Sequence, residues 1–116
     1  MSINQRIKEI RQTLELPQKK FAERIAISTG YMAEIELGNR NVTERIIRLI
    51  SMEFGVDEYW LRTGERSMFN KETDTKITKV MALFKMLNPR FQDFALFHLN
   101  ELVELHNSVN KPNNDV

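Results

Sequence analysis

The sequence of 116 residues contains no cysteine, only 4 glycines and only 3 prolines. Without cysteine the chain can form no disulfide and no thiolate metal site, which suits a reducing compartment. The scarcity of glycine and proline, together with the absence of alternating strand-like segments, predicts an all-α fold. No apolar run approaches the roughly 18 residues of a membrane helix, and the charged start MSINQRIKEI is not typical of a signal peptide. We therefore expect a cytoplasmic protein with no membrane partner.

Positive charge is not in excess either, because 17 Lys and Arg residues stand against 16 Asp and Glu residues, for a net charge of +1. Residues 1–66 contain 11 basic and 10 acidic side chains, and residues 67–116 contain 6 of each. This balance does not identify a partner. A nucleic-acid-binding chain of this composition would have to concentrate its basic residues on one face.

Residues capable of catalysis or metal binding are not arranged in a recognisable pattern. His98 and His106 do not have the i, i+4 spacing that places two imidazoles on one metal ion, and no Ser, Asp and His are spaced as in a known triad. Asp57 and Glu58 stand at a predicted helix start, where acids are favoured by the helix dipole. We therefore expect no enzymatic activity, no metal and no cofactor.

Apolar residues at helical spacing predict six or seven short helices. The first, about residues 3–14, carries Ile3, Ile7 and Ile10 on one face and is capped by Ser2. Pro17 fits the start of a second helix, because it has no backbone N–H to donate. The boundaries of the remaining helices are predicted from capping residues and glycines. Four residues are predicted to begin helices: Ser28, Thr43, Asp57 and Asp74. Three glycines are predicted to end them: Gly38, Gly55 and Gly64.

Residues 27–41, ISTGYMAEIELGNRN, predict a helix with a narrow apolar stripe. Met32 and Ile35 can hold it to a core, while the residues between them are small or polar. Two short helices joined by a tight turn form a helix-turn-helix unit, in which the second helix enters the major groove of DNA. The pattern alone is equally compatible with an ordinary core helix.

The stretch LPQKKFAERIAISTGYMAEIELGNRNVTERIIRLISMEFGVDEYWLRTGE resembles the Cro/phage-repressor (XRE) class of helix-turn-helix domains. The resemblance covers about residues 3–66 and rests on the whole ensemble of pieces. These are Gln18 at the start of helix two, FAERIAIS across the turn, YMAEIELGNRN across helix three, and FGVDEYWLRTGE at the end. It implies a five-helix domain that binds operator DNA, usually as a dimer.

The resemblance also implies roles for individual residues. Gln18 would donate to a phosphate, while Thr29, Gly30 and Glu34 would lie where the class reads bases. The remaining DNA contacts would lie near the backbone or in the loop that follows helix three: Ser28, Tyr31, Asn39, Arg40 and Asn41. Arg11 and Glu36 would form a buried ion pair, and removal of one partner of such a pair typically costs about 3–5 kcal/mol.

Several of these positions have a simpler alternative. Glu34 could be a solvated residue that touches no base, although an acid can accept from cytosine N4, and Tyr31 could be a packing aromatic. Leu37 replaces a polar residue of the class and so loses one possible phosphate contact. The remaining basic residues could contact phosphates or simply be solvated: Lys19, Lys20, Arg24, Arg45 and Arg48.

Residues 67–73 are predicted to be a linker, residues 74–109 a C-terminal αα-hairpin, and residues 110–116 a flexible tail. The last helix is apolar on more than one face, so one stripe is expected to pack on the preceding helix while another needs a further partner. A homodimer is the economical solution, with this interface: Leu96, Phe97, Leu99 and Val103. Alternatively, the second stripe could pack on the N-terminal domain.

The expected function is that of a sequence-specific double-stranded DNA-binding regulator, in particular a repressor that binds a palindromic operator as a homodimer. A second hypothesis comes from another class of proteins. In it the chain is an interaction module, such as an antitoxin-like adaptor, whose C-terminal hairpin binds a protein partner. The two hypotheses are compatible, because an antitoxin can also bind its own operator.

Overall fold

The computed structural model describes residues 1–109, and these residues confirm the all-α fold. The described chain forms seven helices, which are α1 (Ile3–Thr13), α2 (Gln18–Arg24), α3 (Thr29–Glu36), α4 (Glu44–Phe54), α5 (Glu58–Thr63), α6 (Lys71–Met86) and α7 (Pro89–Val109). None of them is both long and apolar enough to cross a membrane. The tail predicted for residues 110–116 lies outside the described residues.

Local side-chain chemistry sets most of the helix starts. At α1 Ser2 and Gln5 form a reciprocal capping box, and the side chains of Ser28, Thr43 and Asp57 each accept a hydrogen bond from a backbone N–H of the first turn that follows. Each such cap contributes about 1 kcal/mol. α2 is the exception among these, because Pro17 stands at its N-cap and supplies no side-chain acceptor.

The chain divides into two compact units, Met1–Thr73 and a second unit that begins at Asp74. In the first unit, α1 to α5 enclose a core in which every helix takes part. Its buried apolar residues are Ile7, Ile10, Phe21, Ala22, Ile25, Met32, Ile35, Ile46, Ile47, Ile50, Val56, Trp60 and Leu61.

A tight turn joins α2 to α3. Ala26 adopts a left-handed conformation with φ of 58°, and the N–H of Ile27 donates to the carbonyl of Ala22 at 3.0 Å. At the other end of α3, Gly38 has φ of 82°, and the N–H groups of Gly38 and Asn39 donate to the carbonyls of Ile35 and Glu34. This is the Schellman arrangement, in which glycine is favoured because it lacks a Cβ.

The segment predicted to be a linker, residues 67–73, is ordered against the first unit. Phe69 forms an antiparallel bridge with Val56, and both Met68 and Phe69 pack on the core. α6 therefore begins earlier than expected, and the prediction that Asp74 caps this helix is wrong. Instead the Asn70 side chain accepts from the Thr73 N–H at 2.8 Å. Met68 and Phe69 explain why this segment is not a free linker, because their packing on the core fixes the chain against the first unit.

In the second unit the two helices are joined by a short turn. Asn88 caps α7 by accepting from the N–H of Phe91, and the Gln92 side chain donates to the carbonyl of Phe84. No residue of 74–109 is buried. One stripe of α7 was expected to pack on α6, but Phe94 and Leu102 are about 60% exposed.

Candidate nucleic-acid interface

The two faces of α3 have opposite environments. Met32 and Ile35 are fully buried in the core of the first unit. On the outward side Thr29, Gly30 and Glu34, the three predicted base-reading residues, are all exposed. The structure therefore brings these three residues together on one accessible surface, which is held rigidly by the buried side of the same helix.

Gly30 is unusual because nothing in the fold requires a glycine there. It lies inside α3, its φ is not positive, and a Cβ placed on it would meet no atom within 4 Å. A glycine inside a helix costs about 0.5–1 kcal/mol relative to alanine. Its place on the outward face therefore leaves this surface flat and open to whatever approaches from outside.

Ser28 and Tyr31 lie at the start of α3. The Ser28 hydroxyl oxygen accepts from the Tyr31 N–H at 3.0 Å, so this serine caps the helix. The half-buried Tyr31 ring packs against the core cluster and also lies under Arg40, whose guanidinium carbon is 4.8 Å from the ring centroid. Tyr31 is thus a packing aromatic that also carries a cation at the edge of the surface.

The loop after α3 contains three predicted contact residues, Asn39, Arg40 and Asn41, all exposed. A residue that sequence reasoning missed fixes this loop in place. The Asn4 side-chain nitrogen donates to the carbonyls of Ile35, at 2.9 Å, and Arg40, at 2.8 Å. Asn4 therefore ties the first turn of α1 to the end of α3 and to the loop.

Arg11 and Glu36 form a bidentate ion pair between α1 and α3. The Nε–Oε2 distance is 2.6 Å and the Nη2–Oε1 distance is 2.9 Å, with the Glu36 side chain only 4% exposed. The hydrogen bonds to Glu36 raise the pKa of the Arg11 guanidinium, although burial opposes the shift. Gln18 joins this network, because its Nε2 donates to Glu36 Oε1 at 3.2 Å. The Gln18 amide is therefore positioned by the ion pair.

The five basic residues that the sequence assigns neither to phosphate contacts nor to solvent differ in their environments. Arg24 is engaged in the fold, since it pairs with Glu53 at 2.5 Å and lies over the Phe54 ring. The other four side chains are exposed. Of these, Arg48 lies near enough to help lower the pKa of Glu44. Lys19, Lys20 and Arg45 form no ion pair with any side chain among residues 1–109.

Arg6 is a second residue that sequence reasoning missed. It is 6% exposed, and its guanidinium donates to the carbonyls of Met1, Leu61 and Arg62 at 2.6 to 2.9 Å. It therefore joins α1 to the end of α5. The sequence contains only a weak indication that Arg6 is buried. Arg6 follows Ile3 by three residues and so lies beside the apolar stripe of α1.

The predicted interface residues of α7 are all exposed: Leu96 (49%), Phe97 (58%), Leu99 (43%) and Val103 (50%). The His98 ring contacts Phe94 and Phe97, with its centroid 4.7 Å and 5.7 Å from theirs. α6 adds further uncovered apolar side chains, including Val80, Met81, Leu83 and Met86. The described part of the second unit thus presents large apolar surfaces on both of its helices.

Comparison with known proteins now identifies the domain. The first unit matches the family described as helix-turn-helix domain over residues 4–67, and the chain belongs to that family. The resemblance to the XRE class of these domains is confirmed.

Two curated relatives are informative. A propionyl-CoA carboxylase regulator of Cereibacter sphaeroides is 38% identical over 60 residues, which is 52% of this chain and 13% of that protein. Antitoxin PezA of Streptococcus pneumoniae is 31% identical over 83 residues, which is 72% of this chain and 52% of that protein. The chain thus spans about half, or less, of the length of these relatives. No solved structure matches it at a significant level.

Proposed function

We propose that this chain is a sequence-specific regulator of transcription that binds double-stranded DNA through the outward face of α3. In this proposal it acts as a homodimer joined through residues 74–109, and it represses promoters whose operators are inverted repeats. The observation that carries the proposal is the contrast within α3. One side is locked into the core by Met32 and Ile35, while the other is exposed and contains a glycine that the fold does not require.

The chemistry of the surface supports DNA as the ligand. Thr29 can donate or accept at a base edge, and Glu34 can accept from the N4 amine of cytosine. Gly30 lets the helix backbone approach the floor of the groove. Exposed cations flank this helix in sequence, with Lys19 and Lys20 at the start of α2 and Arg40 in the following loop. Such residues supply the phosphate contacts from which most of the affinity arises.

A homodimer is supported by the state of the second unit. Apart from Phe84, the large apolar side chains of α6 and α7 are 40–82% exposed, whereas a soluble monomer rarely exposes so many large apolar side chains close together. A second copy of the chain would cover these exposed side chains on both helices. Dimerisation would also present two copies of α3, and two recognition helices about 34 Å apart read successive major grooves.

In vitro selection from a random double-stranded DNA library, with the purified chain at moderate salt, tests the proposal. Enrichment of an inverted repeat is the expected result, and the spacing of its half-sites reports the dimer. Folded protein that enriches no sequence would overturn the proposal.

Two kinds of variant distinguish residues that contact the DNA backbone from residues that determine the base preference. Arg40→Ala should weaken binding to all sequences and reduce the salt slope by about one per protomer. Glu34→Gln should change which base is preferred at one position. Arg66→Ala is the matched control, because Arg66 is also stacked on a tyrosine, with its guanidinium carbon 4.3 Å from the Tyr59 ring centroid. A loss of preference from Arg40→Ala equal to that from Glu34→Gln would contradict this division of roles.

The oligomeric state has its own test. Sedimentation equilibrium of the wild-type chain should give the dimer mass, and Phe97→Asp or Leu99→Asp should give the monomer with α-helical circular dichroism retained. Asn100→Asp, which places the same charge at an exposed polar position of α7, should leave the dimer intact. A wild-type chain that sediments as a monomer at micromolar concentration would contradict the proposed interface.

A second candidate function is supported by the similarity to an antitoxin. That similarity extends over 83 residues and so reaches beyond the 64 residues of the helix-turn-helix match. In this alternative the apolar surfaces of α6 and α7 bind a different protein. Co-expression with the products of neighbouring genes tests it. A stable complex that replaces the homodimer would favour an antitoxin-like adaptor.

A further inference from the structure

Leu37 is a large apolar side chain in an unexpected place. It stands at the C-cap of α3 and is 71% exposed. In the first unit such exposure of a large apolar residue is shared only by Met1 and Met52 among the described residues. Exposing a leucine forfeits the roughly 1.5–3 kcal/mol that its burial would contribute. The fold therefore does not explain why a leucine is found at this position, and a ligand could.

The direction of Leu37 follows from helix geometry, because its backbone remains in the right-handed helical region with φ of −76° and ψ of −10°. At about 100° per residue, Leu37 lies within roughly 20° of Gly30 around the helix axis, about opposite the midpoint of Met32 and Ile35. Glu34 lies within about 60° of it. Leu37 and Gly30 are therefore at the centre of the outward face, and because Gly30 has no side chain, Leu37 is the apolar side chain at that centre.

In the proposed complex, α3 is short enough for both of its ends to lie within one groove. Its 8 residues span about 12 Å, which is close to the roughly 12 Å width of the major groove of B-DNA. A polar residue at this position can contact a phosphate, but a leucine cannot, so in the proposed complex we place the Leu37 side chain against the base edges instead. Only one group on the base edges of that groove is apolar, and that is the C5 methyl of thymine.

We propose that Leu37 is a specificity-determining residue that packs against a thymine methyl in each half-site. The inference rests on the proposed function, and it deepens it by naming a base. Glu34, one turn earlier on the same face, would accept from the N4 amine of a neighbouring cytosine. The half-site read by α3 thus combines a cytosine with a thymine. A surface that is apolar at its centre and carries one acid next to that centre distinguishes both from guanine and adenine.

The test uses the operator obtained by selection. Each thymine of the half-site is replaced in turn by deoxyuridine, which keeps the base pair and removes only the methyl group. Affinity is measured by fluorescence anisotropy for the wild-type chain and for Leu37→Asn. At one thymine per half-site, the wild-type chain should lose roughly fourfold in affinity, as expected for one apolar methyl group no longer buried. Leu37→Asn should not distinguish thymine from deoxyuridine there.

Met52→Asn is the matched control, because it removes an 83% exposed apolar side chain from α4. It should keep the wild-type pattern of thymine sensitivity, and its melting temperature compared with that of Leu37→Asn shows that both variants are folded. As a second probe, 5-methylcytosine restores a methyl at the same place. In operators that carry cytosine in place of the sensitive thymine, 5-methylcytosine should bind the wild-type chain more tightly than cytosine, and Leu37→Asn should not distinguish the two.

Two results would overturn the inference while leaving the regulator proposal intact. One is a wild-type chain that is insensitive to every deoxyuridine substitution, and the other is a Leu37→Asn chain with the same sensitivity as the wild type. Failure of the regulator proposal is a separate result, because selection would then yield no preferred sequence, and the role of Leu37 would be rejected along with it.

Discussion

The guanidinium of Arg11 and the carboxylate of Glu36 form two parallel hydrogen bonds that join α1 to the end of α3. Glu36 is nearly inaccessible to water; Arg11 neutralises its charge, and the Gln18 amide donates a further hydrogen bond to it. This buried ion pair therefore helps to fix the orientation of α3 within the domain, together with the buried side chains of Met32 and Ile35.

Arg11→Met should destabilise the first unit by about 3 kcal/mol, because it leaves the Glu36 carboxylate buried without its main partner. Urea denaturation at neutral pH, followed by circular dichroism, measures the change. The double variant Arg11→Met/Glu36→Met should recover most of the loss, since replacing a buried pair by apolar residues of similar volume is often neutral. A double variant as unstable as the single one would contradict this account.

Ala26→Gly should stabilise the first unit by about 1 kcal/mol. Ala26 has φ of 58° in the turn between α2 and α3, and an L-residue with a Cβ pays roughly 1–2 kcal/mol in that region, partly offset by the greater freedom of glycine in the unfolded chain. Thermal melts of both proteins provide the measurement. Ala33→Gly, inside α3, is the opposite control and should destabilise by about 1 kcal/mol.

Asn4→Ala should loosen the loop that carries Arg40, because it removes the donor to two backbone carbonyls. We expect a stability loss of about 1–2 kcal/mol and weaker DNA binding with an unchanged base preference. Hydrogen exchange of residues 39–41 should become faster. Gln12→Ala, at an exposed position of the same helix, serves as the control and should change none of these. An Asn4→Ala chain with unaltered loop exchange would show that the two bonds do not restrain the loop.

Stability should depend on pH through Glu44. The hydrogen bonds from Arg62 lower the pKa of this carboxyl below its usual 4.5, with further help from the charges of Arg62 and Arg48 and with burial opposing the shift. Because the folded-state pKa is the lower one, the ion pair stabilises the fold above about pH 4.5, and that contribution is lost as the pH falls through the lowered value.

Glu44→Gln should therefore reduce the fall in melting temperature on acidification, and high salt should reduce the difference between the two proteins, since the pair is exposed. Arg62→Gln should have the same effect. Additive effects of the two substitutions on the pH dependence would argue against a direct pair.

Helix boundaries in the first unit could be predicted because their causes are local. Ser28 and Thr43 cap helices whose apolar periodicity begins next to them, and Gly38 ends α3 through a conformation that other residues avoid. Asn4 and Arg6 could not be found this way. Their acceptors are carbonyls as far as 36 and 56 residues away, and a backbone carbonyl leaves no trace in the pattern of side chains.

The sequence predicts which residues lie on the outward face of α3, but it does not predict the hydrogen bonds and ring contacts that these and neighbouring residues form. The outward position of Thr29, Gly30 and Glu34 follows from the buried stripe alone. The use of Gln18 as a donor to Glu36, and the stacking of Arg40 on Tyr31, depend on how α1, α2 and the loop meet in space. For α7 the pattern correctly indicated apolar residues on more than one face, but an apolar face does not specify the element that will cover it.

The exposed apolar helices of the second unit have a consequence for how gene expression would respond to the concentration of this protein. If residues 74–109 pair only between copies and the dimer is the DNA-binding form, that form is a minor species while the chain concentration is below the dissociation constant of the dimer. Below that level, operator occupancy would rise with the square of the chain concentration. A twofold change in synthesis would then produce up to a fourfold change in occupancy, so the apolar surface itself would set a threshold for the genetic response.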